Sequence, residues 1–252
     1  MKAMILAAGL GTRLRPLTDD RPKALVEING RTLLEMTLSR LRRFGVSEVI
    51  INVHHFADMI VEYLKANDNF GMRIEVSREQ VLLDTGGGLK KASHFFTGDS
   101  DKESGPPQDP FIMHNVDVLS TVDLRQLVQS HIEHQALATL AVQDRVTSRY
   151  LLFDDQLQLC GRRSGDQETE LVKPAKQSKA LAFSGIQVIS PRLLAMMTEN
   201  GAFSIITTYL RLAAEGQRIL AFRADEYYWR DLGSFGNVAQ AAQDLGQKIV
   251  EQ

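Results

Sequence analysis

The chain alternates short apolar runs with amphipathic segments of helical period, and that alternation sets the architecture. Ala3–Ala8 is a continuous apolar run that predicts a buried strand. Leu33–Phe44 carries apolar residues at helical spacing (Leu33, Leu34, Leu38, Leu41) and stops at Gly45, a helix terminator. Glu48–Val53 reads as the next strand, Ala57–Leu64 as a helix, Met72–Ser77 as a strand, and Gly88–Phe96 as a helix after a glycine loop. Phe111–Met113 is a strand, Val122–His134 a helix, and Leu137–Val142 and Tyr150–Phe153 are strands. This order predicts an α/β fold with a mostly parallel central sheet and helices on both faces. Ligands of such sheets bind beyond the carboxyl ends of the strands, so residues just after Gly9, Ser77 and Met113 are the ones to search.

From about Asp144 the pattern becomes shorter and richer in turns: Leu151–Asp154, Leu157–Leu159, Leu171–Lys173 and Leu181–Ile189, with helices at Pro191–Met197 and Phe203–Glu215. We read 1–252 as a single domain in two parts, 1–143 and 144–252, the second a lid on the first. Ser100–Pro110 is polar, holds three prolines and reads as an exposed insertion.

Composition narrows the classes. The 252 residues carry a net charge of −2, with 44% hydrophobic and 24% charged residues. That balance gives no general attraction to nucleic acid or anionic membrane, so any anionic substrate needs a local basic cluster. The single cysteine, Cys160, excludes an intrachain disulfide framework, fits a reducing compartment and reads as a small buried hydrophobe. The N-terminal apolar run is about six residues, below the 7–15 of a signal core. No stretch approaches the ~18 apolar residues of a membrane span. These features predict a cytoplasmic protein.

The local basic cluster lies in the opening loop, Gly9-Leu10-Gly11-Thr12-Arg13-Leu14-Arg15-Pro16 followed by Pro22-Lys23. Arg13, Arg15, Arg21 and Lys23 concentrate positive charge there. Two glycines after a strand let backbone N–H groups approach an anion. A dinucleotide fingerprint would need a third glycine where Leu14 stands, and a P-loop would need a Gly-Lys-Ser/Thr run that is not there. The loop reads as a triphosphate cradle of another kind.

The run resembles the signature of the sugar-1-phosphate nucleotidyltransferases, Gly-x-Gly-Thr-Arg-x-x-Pro then Pro-Lys, and the resemblance extends over nearly the whole chain. It implies a Rossmann-like three-layer sandwich with an inserted sugar-binding subregion, 1–143 being mainly the nucleotide-binding half and 144–252 mainly the sugar-binding half and lid. The implied reaction joins a nucleoside triphosphate to a sugar 1-phosphate with Mg²⁺ as cofactor. Leu6, Ala7, Ala8, Gly9, Gly11, Thr12, Arg13 and Lys23 would hold the triphosphate, with Arg13 and Lys23 also catalytic. Leu83-Asp84-Thr85-Gly86-Gly87 is similar to the family's base-binding segment. Glu79, Thr85, Gly86 and Gly87 are the residues implied there, in a form closest to N-acetylmuramic acid 1-phosphate uridylyltransferases. Asn115-Val116-Asp117 stands where the family has Gly-Asp, and Trp229-Arg230-Asp231-Leu232-Gly233-Ser234 resembles its late metal segment. Asp117 and Asp231 would therefore meet as metal ligands, with Asp117 also catalytic, although Asp231 could instead cap the following helix. Lys173-Pro174 resembles a Glu-Lys-Pro segment, with Val172 in place of the glutamate. Asn115, Lys173 and Gly185 would face the sugar, Lys173 as a catalytic cation.

UTP is the favoured nucleotide, with GTP and a mannose or heptose 1-phosphate, or CTP and phosphocholine, as alternatives. A non-catalytic nucleotide-sugar-binding regulator is the reading from a different class. Oligomeric state stays open, a homo-oligomer included. His131 and His134 are spaced for a helical metal pair but read as a polar solvated face.

Overall fold

The computed structural model describes residues 1–97, 109–165 and 169–247; of the Ser100–Pro110 segment only Asp109 and Pro110 are among them. The first half contains strands Lys2–Leu6 (β1), Glu27–Ile28 (β2), Arg31–Thr32 (β3), Glu48–Val53 (β4), Arg73–Arg78 (β5), Phe111–Asn115 (β6) and Val118–Ser120 (β7). Helices Leu33–Arg43 (α1), Ala57–Ala66 (α2), Asp84–Lys91 (α3) and His94–Thr97 (α4) lie between them. Then follow α5 (Leu124–Glu133), β8 (Ala138–Gln143), β9 (Arg149–Phe153), β10 (Leu159–Ser164), β11 (Glu170–Leu171) and β12 (Lys179–Ile189). The chain continues through α6 (Arg192–Ala195), α7 (Ile205–Ala214), β13 (Ile219–Arg223), β14 (Trp229–Asp231) and α8 (Phe235–Gly246).

Ten strands form one sheet, in the order β11-β10-β9-β12-β6-β1-β4-β5, with β8 also on β12 and β13 on β8. The pairings β6-β1-β4-β5 and β8-β13 are parallel, whereas β12 is antiparallel to β6, β8 and β9, and β10 is antiparallel to both its neighbours. Every strand except β12 and β10 therefore runs in one sense, which gives the mixed α/β fold with mostly parallel strands. Side chains of one strand alternate between two cores. Ala3 and Ile5 of β1, and Val49 and Ile51 of β4, enter one core, while Met4 and Ile50 enter the other.

Local chemistry explains the element ends. Thr32 caps α1, its hydroxyl accepting from the Glu35 N–H at 3.0 Å, and Glu35 completes the Thr-x-x-Glu pattern of a helix start. Gly45 supplies the left-handed residue after α1 with φ 84°.

Two expectations need correction. Gly86 and Gly87 are inside α3, not in a loop before it, and the expected helix Gly88–Phe96 is divided between α3 and α4. A side chain on Gly86 would sit 2.3 Å from the Phe203 ring, and one on Gly87 would sit 2.4 Å from the Gly201 carbonyl. The glycines let α3 lie directly on the segment before α7. His131 does not face solvent: it is 2% exposed, between Thr139 and Ser190. The turn of α5 that carries it packs on the sheet, so it makes no metal pair with the exposed His134. Cys160 is fully buried, as its setting predicts.

Candidate active site

Beyond the carboxyl end of β6 lies a cleft of about 570 Å³, lined by Asn115, Asp117, Asp231, Gly185, Arg145 and Trp229 among others. Its acidic pair comes from distant parts of the chain. The short ladder between β7 and β14 sets Val118 opposite Asp231, and the Leu232 N–H donates to the Asp117 carbonyl at 2.7 Å. The ladder thus makes the backbones of Asp117 and Asp231 neighbours, one residue out of register, and both residues line the cleft. Asp231 also accepts from the Gly233 N–H, which closes the turn into α8. The cap of that helix is Ser234, not Asp231.

The opening loop reaches the same two aspartates. Gly11 has φ 67°, and its missing side chain leaves room for Thr18, whose hydroxyl donates to the Gly11 carbonyl at 2.9 Å. Thr12–Leu14 make a single 3₁₀ turn that points Arg13 toward Asp231, at 3.7 Å. Lys23, next to Pro22, donates to the Asp117 carboxylate and is mostly buried. Arg13, Lys23, Asp117 and Asp231 therefore form one alternating charge cluster. The Cβ position of Gly9 has open space around it, so that glycine serves no packing need.

The Val116 N–H donates to the Leu6 carbonyl at 3.1 Å, and Val116 itself points into the core at 4% exposure. Replacing the family's glycine there places no side chain in the cleft. Gly185 (φ 72°) is required: a side chain would lie 2.8 Å from the Asn115 amide nitrogen. Behind the loop, the ring of His114 is fully buried, and burial lowers its pKa to about 3. It is neutral and adds no charge behind Asp117.

Other expected residues have different surroundings. Glu79 is 5% exposed and uses both carboxylate oxygens inside the protein, accepting from the Asn52 amide at 2.7 Å and the Leu83 N–H at 3.0 Å. Asn52 in turn accepts from the Ala7 N–H at 2.8 Å. Glu79 therefore braces the end of β1 against the turn before α3. The N–H groups of Gly86 and Gly87 donate to the Phe203 carbonyl, and the Thr85 hydroxyl accepts from the Ile205 N–H at 2.9 Å. Lys173 is not in the cleft wall. It pairs with Asp154 at 3.0 Å, in the turn between β9 and β10, and the Val172 N–H is tied to the Cys160 carbonyl. The structure thus does not bring Lys173 together with the acidic pair.

Sequence reasoning missed Asn52 and Arg145. Both carried a signal: Asn52 is the polar penultimate residue of the apolar strand β4, and Arg145 lies two residues past the end of β8.

A Mg²⁺ ion takes six oxygen ligands and keeps several waters, needing only one or two carboxylates beside substrate phosphates. Asp117 and Asp231, adjacent and open to the cleft, fit that donor set. Among the described residues no group of three or more His, Cys, Asp or Glu gathers to hold a metal by protein ligands alone.

A glycine-rich basic loop, two neighbouring aspartates and an adjoining cleft thus meet beyond the strand ends of an α/β sheet. The chain belongs to the nucleotidyl transferase family, whose profile it matches over residues 2–248. It is 34% identical over 244 residues to the N-acetylmuramate alpha-1-phosphate uridylyltransferase of Caulobacter vibrioides, covering 92% of this chain and 91% of that one. It is 30% identical to the catalytic subunit beta of mannose-1-phosphate guanylyltransferase of Xenopus tropicalis, covering 92% of this chain and 61% of that longer protein. The solved structure of a UDP-glucose pyrophosphorylase complexed with UDP-glucose superposes with a TM-score of 0.76 at 18% identity, over 98% of both chains. No helix among the described residues is long and apolar enough to cross a membrane.

Proposed function

We propose that this enzyme transfers a uridylyl group from UTP to a sugar 1-phosphate and releases pyrophosphate. The observation that carries the reading is the convergence of Arg13, Lys23, Asp117 and Asp231 at one end of the cleft. UTP and N-acetylmuramate 1-phosphate are the first candidates because the uridylyltransferase relative matches along nearly its whole length.

A phosphate oxygen of the sugar 1-phosphate attacks the α-phosphorus. The bond to the bridging oxygen breaks, and its electron pair leaves with pyrophosphate. No protein nucleophile is needed; alignment and charge stabilisation supply the acceleration. Lys23 turns from Asp117 to the reacting phosphates, and Arg13 turns from Asp231 to the departing β- and γ-phosphates. Asp117 and Asp231 would hold Mg²⁺, which when bound neutralises phosphate charge. Gly9 and Gly11 keep the loop backbone close to the triphosphate, and Asn115 and Gly185 form the sugar side. Solvation by these fixed charges in place of water is the main source of rate.

Pyrophosphate release is the assay, with UTP, GTP and CTP each offered against the 1-phosphates of N-acetylmuramate, mannose and glucose. Release is expected to be fastest with UTP, to require the sugar 1-phosphate and to stop on chelation of Mg²⁺. Asp117→Asn should lower kcat by about 10²–10³-fold. A preference for GTP and mannose 1-phosphate would favour the guanylyltransferase reading. Ligand binding with no release from any pair would point to a nucleotide-sugar sensor.

A further inference from the structure

The sugar half of the cleft contains a cation that the resemblance did not single out. We propose that Arg145, stacked on Trp229, receives the phosphate of the sugar 1-phosphate, the role that the resemblance assigned to Lys173. The inference rests on the transfer reaction proposed above.

The position of Arg145 follows from an irregularity in β12. Phe183 pairs with Val142 and Gln187 with Leu140, so β12 spends two more residues than β8 over the same stretch. That bulge frees consecutive carbonyls from the ladder. The Phe183 carbonyl accepts from Arg145 Nη2 at 2.9 Å, and the Ser184 carbonyl accepts from the Trp229 indole N–H at 2.8 Å. Held this way, the guanidinium carbon lies 3.5 Å from the centre of the Trp229 ring. A desolvated cation over tryptophan is the strongest form of that contact, and it fixes the plane of the guanidinium. Trp229 is two residues before Asp231 on β14, so the stack sits beside the acidic pair.

Competing cations are occupied or unfixed. Arg162 is paired with Glu170 at 2.6 Å, and Arg149 is exposed at the cleft rim. Lys173 is paired with Asp154 away from the cleft. Arg145 is half-buried, has no carboxylate in hydrogen-bond contact among the described residues, and retains a shielded Nε–H with no protein partner. A guanidinium offers five donors in a planar fork that matches a phosphate edge. The protein consumes only part of that fork.

The alternative is that Arg145 merely braces Trp229 against β12. Arg145→Ala, Arg145→Lys and Lys173→Ala separate the two. Thermal melting checks folding, pyrophosphate release gives KM and kcat, and calorimetric titration with N-acetylmuramate, mannose and glucose 1-phosphates gives binding without turnover. Arg145→Ala should weaken sugar 1-phosphate binding and raise its KM by about 10–100-fold, the loss of charge-assisted hydrogen bonds. The KM for UTP should change less than about twofold, Arg145→Lys should recover part of the loss, and Lys173→Ala should resemble the wild type. An unchanged KM and affinity in Arg145→Ala, with a lowered melting temperature, would establish the brace and overturn the proposal. The proposal also falls if Lys173→Ala carries the KM effect, or if the wild type binds no sugar 1-phosphate. A wild type that binds sugar 1-phosphates through Arg145 without turnover would refute only the transfer reaction.

Discussion

Replacing His131 by glutamine should flatten the acid side of the stability profile, and the structure sets the size of the effect. Ser190 donates its hydroxyl to the Ala136 carbonyl at 2.8 Å, so its oxygen accepts the His131 Nε2–H at 2.9 Å. Nδ1 is then left as the acceptor for the Thr139 hydroxyl, at 3.0 Å. The neutral ring is thus fully bonded, and a proton on Nδ1 would displace a donor. Burial, and secondarily the charge of Arg192, lower the pKa from 6.5 to about 4. The unfolded chain takes up this proton near pH 6.5 while the native state refuses it until about pH 4. Stability therefore falls as pH drops through that window. A depression of about 2.5 units corresponds to roughly 2 kcal/mol lost between pH 8 and pH 5, because little of the native state is protonated at the lower pH. Urea unfolding at both pH values, for wild type and His131→Gln, measures it as a difference of differences. Glutamine cannot titrate, so the pH 8-to-5 loss should shrink by about 2 kcal/mol whatever the variant's absolute stability. Equal losses in the two proteins would refute the reasoning.

Two further outcomes follow from buried contacts. Asn52→Leu strands the Ala7 N–H and one Glu79 oxygen, both shielded from water. At about 1–3 kcal/mol each this should cost about 3 kcal/mol. That lowers Tm by about 6–12 °C in calorimetry; a drop under about 2 °C would show that the network is not stabilising. Gly87→Ala should destabilise by about 1–3 kcal/mol in denaturant titration despite alanine's better helix propensity, because its methyl would meet the Gly201 carbonyl. Gly236→Ala in α8, with open space at Cβ, is the control expected to be neutral or stabilising.

Local patterns carried the parts of this molecule that local physics decides. The β1 run, the capped helix α1 and the glycine-basic loop were legible because each is specified by neighbours within a dozen residues. The strand β14, the hairpin β2–β3 and the bulge in β12 were not, since two- or three-residue strands have no period to detect and a bulge is defined by its partner. The Gly86–Gly88 run misled for a related reason. Gly86 and Gly87 answer to Phe203 and Gly201, more than a hundred positions away. Lys173 shows the limit of motif transfer: a lysine in the matching position found Asp154 as a closer partner. The pairing of Asp117 with Asp231 depended on resemblance, and only the sheet topology supplies its physical cause.

That pairing has a consequence for the order in which the molecule is made. Asp117 and Asp231 are 114 positions apart, and the ladder that joins them is three residues long on each side. During synthesis the opening loop and β1, β4, β5 and β6 can assemble well before Asp231 has emerged. Closing so long a loop for so short a ladder gains little until the surrounding core has formed. The acidic pair is therefore completed late, after the sheet beneath it. A growing or truncated chain that stops short of β14 keeps the opening loop but lacks the ladder that sets Asp231 beside Asp117.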